Sequence, residues 1–467
     1  MAHARTAAPP AAEVRVHVVA PAHLGATAIA ALTARGIDAI TSTINTTDDV
    51  LALALDAIPT GTSAVELATT CARAAARGRP VCVLAPIPRG TGRAAIERAA
   101  AIAYLRSHGA ALSHDVDAWL EAIVLLVRFG LPTGPRAAVV APPGSWLEAQ
   151  ALALAADAEA LGARPPVIGG DEATDVVLYD PALGPPPATT PGLHVPVAAR
   201  AELAGDEHVV YGARPALGAI SLLGRASERI AAGLGPAPQD QSATLAIDDD
   251  RLRRQLDKLS SDLTRLGDHE TKVLLAAYGV AITRQAVATT PSAAVKLARR
   301  AGYPVEVKPW GHDLPTEPAG CPVERNVGSD ALVRQAFTTV LTAANKSGAE
   351  GAAVIVRETP PTGRELGVTM LRLPALGWTV VFDGAQLAAA PAPLRLIDAQ
   401  ALAAQVVSSR AGDPEPDRTG LANLLRRASH LVVDLDARLT KLAMPRIIIG
   451  GRGARTLVVD AFAELRT

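Results

Sequence analysis

An eleven-residue stretch at 233–243, GLGPAPQDQSA, divides this chain into halves that alternate their secondary structure differently. Gly, Pro and short polar residues cannot bury enough surface to pack, so the stretch reads as a linker. Before it, β-rich runs alternate with helical ones. Residues 14–20 (VRVHVVA) predict a strand, followed by a helix to Arg35, a cap at Gly36 and a strand at 37–42. The alternation continues with a strand at 80–85 (PVCVLA), a helix over 94–106 and a strand at 119–127. It resumes with a strand at 136–141 (RAAVVA), a helix over 146–162, a strand at 175–179 and a Pro-rich loop at 185–191. Such alternation predicts α/β units, each a parallel sheet covered by helices on both faces. After the linker, helices come first: 252–266, 272–278 and 291–301, the last two ended by Gly279 and Gly302. Strands follow at 304–308, 352–357 and 378–382, then helices at 406–410 and 421–435 and a closing hairpin of 446–449 with 456–461. This second order predicts an α+β domain.

At 467 residues the chain exceeds one ordinary core, and about two to four domains are expected. Hydrophobic residues make up 49% but aromatic ones only 3%, which suits close packing of helices on sheets. A net charge of −1 offers no electrostatic case for nucleic acid or a membrane surface as partner. Cys71, Cys82 and Cys321 are dispersed, with no metal-ligand spacing and no disulfide framework, as in a reducing cytoplasm. No apolar run approaches the ~20 residues that span a bilayer. The Ala/Pro-rich residues 1–13 read as a disordered tail, and the whole as a cytoplasmic protein.

The stretch from His269 to Lys308, HETKVLLAAYGVAITRQAVATTPSAAVKLARRAGYPVEVK, resembles the opening of the ATP-grasp domain of NDP-forming acyl-CoA synthetases. These are the acetate–CoA ligase and succinyl-CoA synthetase relatives. Glu270, Lys272, Tyr278, Gly279, Gly302, Tyr303, Pro304 and Lys308 match that pattern, and Gly363-Arg364-Glu365-Leu366, Pro393-Leu394 and Val459-Asp460-Ala461 follow in order. The first half resembles the same family's two flavodoxin-like, succinyl-CoA ligase-like domains, with Asn45–Asp49 at a G-N-x-A-D position. The resemblance implies a tail (1–13), flavodoxin-like domains at 14–134 and 135–233, a linker at 234–247 and an ATP-grasp domain at 248–467. The family's N-terminal CoA-binding Rossmann domain has no counterpart, which implies a separate CoA-binding Rossmann subunit as partner, in an oligomer.

Such ligases join a carboxylate to CoA at the expense of ATP, by way of a phosphohistidine that needs a helix N-terminus to receive its phosphate. In the register set by the downstream helix, the S-H-T-G-A-L positions fall on Glu97 and Arg98; a shifted register offers Ser107-His108-Gly109 instead. His108 is then the candidate nucleophile, or a surface histidine near a helix end. Lys308 takes the place of the strand lysine that contacts phosphate, or is a strand-end lysine. The backbone of Val356–Glu358 takes the place of the adenine hinge, and Glu365 matches a family position in a hairpin. The metal-holding E-L-D-x-N-P element appears as Lys441-Leu442-Ala443-Met444-Pro445-Arg446, without carboxylate or amide. The H-K-x-D-x-G-G-V loop appears as Pro315-Thr316-Glu317-Pro318-Ala319-Gly320-Cys321-Pro322 and G-L-G-G as Phe382-Asp383-Gly384-Ala385. Loss of these elements together implies a divergent member without the usual ligase activity. It keeps at most binding of ATP, with or without Mg²⁺, or of CoA or an acyl-CoA. The alternatives are an active acid–thiol ligase completed by its partner subunit, and a non-catalytic assembly or regulatory partner.

Overall fold

The computed structural model describes residues 14–43, 49–160, 166–169, 174–184, 190–199, 209–238, 244–259, 263–311, 322–346, 353–384, 387–407, 415–451 and 455–466. The tail, most of Asn45–Asp49, the loop from Pro315 to Cys321 and residues 239–243 of the linker lie outside them. The chain divides into two compact units, residues 1–235 and 236–467.

The first unit holds two five-stranded sheets, both wholly parallel. One is built from β1 (Val16–Val19), β2 (Ala39–Thr41), β3 (Val50–Ala54), β4 (Cys82–Leu84) and β5 (Ala111–Ser113). Its order, β2-β1-β3-β4-β5, is the flavodoxin order. Helices α1 (Ala22–Thr33), α2 (Gly61–Ala75), α3 (Arg93–Ser107) and α4 (Val116–Arg128) connect its strands and lead out of it. The other contains β6 (Ala137–Val140), β7 (Val167–Ile168), β8 (Val176–Tyr179), β9 (Leu193–Ala198) and β10 (Val210–Tyr211), in the order β10-β9-β8-β6-β7, the same topology again. Its helices are α5 (Trp146–Ala160) and α6 (Ala213–Ala232). The two flavodoxin-like sheets expected from the sequence are thus present.

One hydrophobic core serves both sheets, running from Val16 and Val50 through α4 to Val176 and Ile220. Helices α4 and α6 meet through small residues: a Cβ on Gly218 would lie 2.9 Å from the Cβ of Ala118. Glu121, 3% exposed on α4, ties three elements together. It accepts from Arg35 Nη2 at 2.6 Å and from the Tyr211 amide at 3.1 Å, while the Arg35 guanidinium lies over the Tyr211 ring. Residues 119–127 correct the expected strand: they belong to α4. A helix buried on nearly all sides loses its polar face, and its apolar run then reads as a buried strand. At the start of α5, Ser145 Oγ accepts the Glu148 amide and Glu148 accepts the Gly144 amide, so the helix brings its own anion to its N-terminus.

The second unit holds two antiparallel sheets. The larger contains β11 (Arg265–Leu266), β16 (Arg364–Leu373), β17 (Gly377–Asp383), β18 (Leu387–Pro391), β19 (Leu439–Ile449) and β20 (Leu457–Leu465), in the order β11-β20-β19-β16-β17-β18. The smaller contains β12 (Gln285–Ala288), β13 (Val305–Trp310), β14 (Glu324–Val327) and β15 (Ala353–Glu358), in the order β12-β15-β13-β14. Helices α7 (Asp249–Leu256), α8 (Asp268–Ala277), α11 (Leu396–Val406) and α12 (Arg418–Asp434) accompany the large sheet, and α9 (Pro291–Ala301) and α10 (Asp330–Lys346) cover the small one. Two expected helices are corrected. The charged helix of 252–266 ends at Leu256, and Arg265–Leu266 pair with β20 instead. The helix placed at 406–410 lies earlier and ends at Val406, with residues 408–410 outside the described set.

Candidate functional site

Residues 304–308 (PVEVK) and 353–357 (AVIVR) put Glu306, Lys308 and Arg357 into otherwise apolar strands. Charged side chains are rarely interred unless paired, and these three are 3%, 5% and 0% exposed. Their partners come from elsewhere in the unit. Asp460, on β20 of the large sheet, accepts from Lys308 Nζ at 2.7 Å and from Arg357 Nη1 at 2.6 Å. Arg357 Nε donates to Glu306 Oε2 at 2.8 Å, and Arg357 Nη1 also reaches the Val459 carbonyl. Asp268, first residue of α8, lies 3.2 Å from Lys308 Nζ and 3.3 Å from Lys272 Nζ, and its Oδ1 accepts the Ala461 amide. Lys272, fully buried, donates to Thr283 and Gln285 as well. The result is a buried charge network joining the two sheets and the N-terminal turn of α8.

The network sets its own protonation. Burial works against the charges of Asp460 and Asp268, yet Lys308, Arg357 and Lys272 hold Asp460 well below the usual carboxylate range. Lys272 and Lys308 do the same for Asp268. Burial likewise opposes the charge on Lys308, but Asp268 and Asp460 outweigh it and raise its pKa. Lys272 goes the other way: burial, with Lys308 and Arg357 adding to it, pushes it down to about 7.

Arg446 extends the cluster. It stands opposite Asp460 in the β19–β20 pairing and donates from Nε and Nη2 to Glu365 Oε1, at 3.0 and 2.8 Å. Glu365 and Arg446 therefore answer each other in the chain. A Mg²⁺ ion, which the ATP-grasp resemblance implies, asks for about six oxygen ligands. The residues present do not fit it. Asp460 is ringed by Lys308, Arg357 and Arg446, the aligned positions Ala443 and Pro445 carry no ligand, and no group of three metal-ligating side chains occurs among the described residues.

The other expected site residues are not gathered here. Val356 lies in an interior antiparallel strand, opposite Ala286 on one side and Val307 on the other, so its main chain is part of the ladder. The Glu358 amide donates to the Arg284 carbonyl, and its carboxylate pairs with the Arg284 side chain at 2.5 Å. The main chain at Val356–Glu358 is thus held within the sheet and by Arg284. His108 caps the C-terminus of α3, its Nδ1 2.8 Å from the Tyr104 carbonyl and its ring tilted 40° against that of Tyr104, with centroids 4.3 Å apart. Burial, with Arg229 adding to it, keeps its pKa below the ordinary histidine value. That end of a helix presents carbonyls, the opposite of what a phosphorylated histidine needs. Arg98 lies on the second turn of the same helix and donates to the Arg89 carbonyl.

The matched family residues mostly serve the framework. Glu270 accepts the Trp310 indole N–H at 2.8 Å, and the Tyr278 hydroxyl donates to Asp434 at 2.9 Å. Gly279, at φ 71°, is closed over by Arg427, whose Nη1 a Cβ would meet at 2.6 Å. The network residues Asp268, Glu306 and Arg357 are absent from the sequence expectations. The signal for Glu306 and Arg357 was a charged residue inside each of two apolar β runs, which reads equally as a strand with one wet face; Asp268, on a helix, carried no such signal.

Residues 257–463 match the model of an ATP-grasp domain. Over 134 residues the chain is 31% identical to acetate–CoA ligase [ADP-forming] I subunit beta of Pyrococcus furiosus, covering 28% of this chain and 58% of that one. The chain thus spans little more than half the length of this relative. It is 22% identical to acetate–CoA ligase [ADP-forming] II subunit beta of the same organism over 218 residues, covering 44% of this chain and 92% of that one. Among solved structures it is similar to dinucleotide-forming acetyl-coenzyme A synthetase 1 of Ca. Korarchaeum cryptofilum, with 24% identity, a TM-score of 0.40, and coverage of 47% of this chain and 99% of the other. No helix of the described residues is long and apolar enough to cross a membrane. Residues 257–463 of the second unit thus resemble an ATP-grasp domain, and the chain is similar in sequence to the beta subunits of ADP-forming acetate–CoA ligases.

Proposed function

We propose that the chain is a divergent acyl-CoA synthetase-like protein that has given up phosphohistidine transfer and keeps at most nucleotide or CoA-ester binding. One observation carries this reading. Lys308, the expected phosphate lysine, is spent on Asp460 and Asp268 inside the chain. A phosphate would have to displace two carboxylates from a buried ammonium, and that costs more than binding at a free lysine. The placement of His108 at a helix C-terminus and the sheet-bound backbone of Val356 support the same reading. Because the relatives are named as beta subunits, a separate CoA-binding subunit is the partner to seek.

The test is incubation of the purified chain with γ-labelled ATP, acetate and CoA, with and without such a subunit. The expected result is no label on the protein, no acetyl-CoA, and no difference between wild type and His108→Ala. An acid-labile, alkali-stable label that disappears in His108→Ala, together with acetyl-CoA formation, would establish the active ligase instead.

A further inference from the structure

We propose that Arg446 takes the place of a divalent cation beside Asp460, so that the second unit neither needs nor binds Mg²⁺ there. The argument starts at Pro445. Strand β19 is interior, flanked by β16 and β20, and a proline has no N–H for a ladder. The pairing is irregular on both sides of Arg446, between Ala443 and Arg446 and between Arg446 and Ile447, and again at Leu366/Val368 of β16. Bulges of this kind re-aim side chains. Here the irregularity leaves Arg446 paired with Asp460 across the strands.

The chemistry of the surrounding groups agrees. Four carboxylates, Asp268, Glu306, Glu365 and Asp460, meet five cations, Lys272, Lys308, Arg325, Arg357 and Arg446, so each carboxylate already has a cationic partner from the chain. A doubly charged ion added to this set would face three cationic neighbours of Asp460. Two buried atoms of the cross-strand pair lack a hydrogen bond, a donor on one side (Arg446 Nη1) and an acceptor on the other (Asp460 Oδ2). The guanidinium of Arg446 thus brings its charge to the strand position facing Asp460, where a cation would otherwise have to approach.

The inference rests on the reading of this cluster as the former nucleotide site, and its test is independent of turnover. Mn²⁺ titration followed by the paramagnetic signal of the free ion, on the full chain without nucleotide, should show no stoichiometric site in the wild type. Arg446→Asn removes the guanidinium and supplies an amide oxygen. It should bind one Mn²⁺ at least about tenfold more tightly than the wild type, and Mg²⁺ should compete. Arg446→Lys, which keeps the charge, should behave as the wild type; Arg446→Gln stands in if the asparagine variant does not fold. One Mn²⁺ bound by the wild type as tightly as by Arg446→Asn would overturn the proposal, and so would folded asparagine and glutamine variants that gain nothing. Tight metal binding by the wild type without labelling by ATP sinks this inference alone, whereas labelling by ATP sinks the functional reading.

Discussion

Asp460→Ala should destabilise the second unit by about 3–5 kcal/mol, the range for breaking a buried ion pair by removing one partner. The carboxylate is 1% exposed and accepts from both Lys308 and Arg357, so its loss leaves two cations competing for Asp268 and Glu306. Urea unfolding measures the effect, with hydrogen exchange of Ala353–Glu358 and Leu457–Leu465 assigning it to this unit. A change below about 1 kcal/mol would mean that the network is solvated like a surface pair. The same groups fix the response to pH. Asp460 and Asp268 are held below their unfolded values, so their contribution is present above about pH 4 and is lost as the pH falls through their folded values. Lys272 is lowered to about 7, so between pH 7 and about 10.5 the unfolded chain binds the extra proton and stability rises with pH. A stability profile that fell between pH 7 and 9 would contradict this assignment.

Trp119→Ala should cost the first unit about 3–5 kcal/mol, as large aromatic deletions in cores do. Trp119 is fully buried on α4, and its indole N–H donates to the Cys82 carbonyl at 3.0 Å on β4. The substitution removes the ring that packs between the helix and the first sheet, together with its hydrogen bond to that carbonyl. Burial pushes the Cys82 thiol up to about 12, so it is inert in the wild type. Reaction of Cys82 with a thiol reagent should accelerate in the variant in step with the lost stability. Unchanged reactivity and stability would show that the core refills the space.

Legibility in the sequence follows burial on one side. Val16–Val19, Pro291–Ala301 and the closing hairpin are each bounded by Gly, Pro or a polar turn, so period and punctuation agree there. Helix α4 is enclosed by its sheet and by α6, which erased the polar face that distinguishes a helix from a strand. At the site, Lys308 was legible as a residue in a motif, and its state was not. Whether a strand lysine faces a ligand or a carboxylate depends on Asp460, 152 positions away. Periodicity cannot carry information over that separation. The occupied backbone of Val356 depended in the same way on a β12 strand that no apolar run announced.

The shared core of the two flavodoxin-order sheets bears on how the first unit comes apart. On the face that meets α4 neither sheet has an apolar interior of its own, because α4 belongs to the core of both. Residues 14–235 should then open as one foldon, with β1 and β8 exchanging their amides at a common rate. A chain cut in the loop between Arg128 and Ala137 should yield two fragments that fold only when mixed.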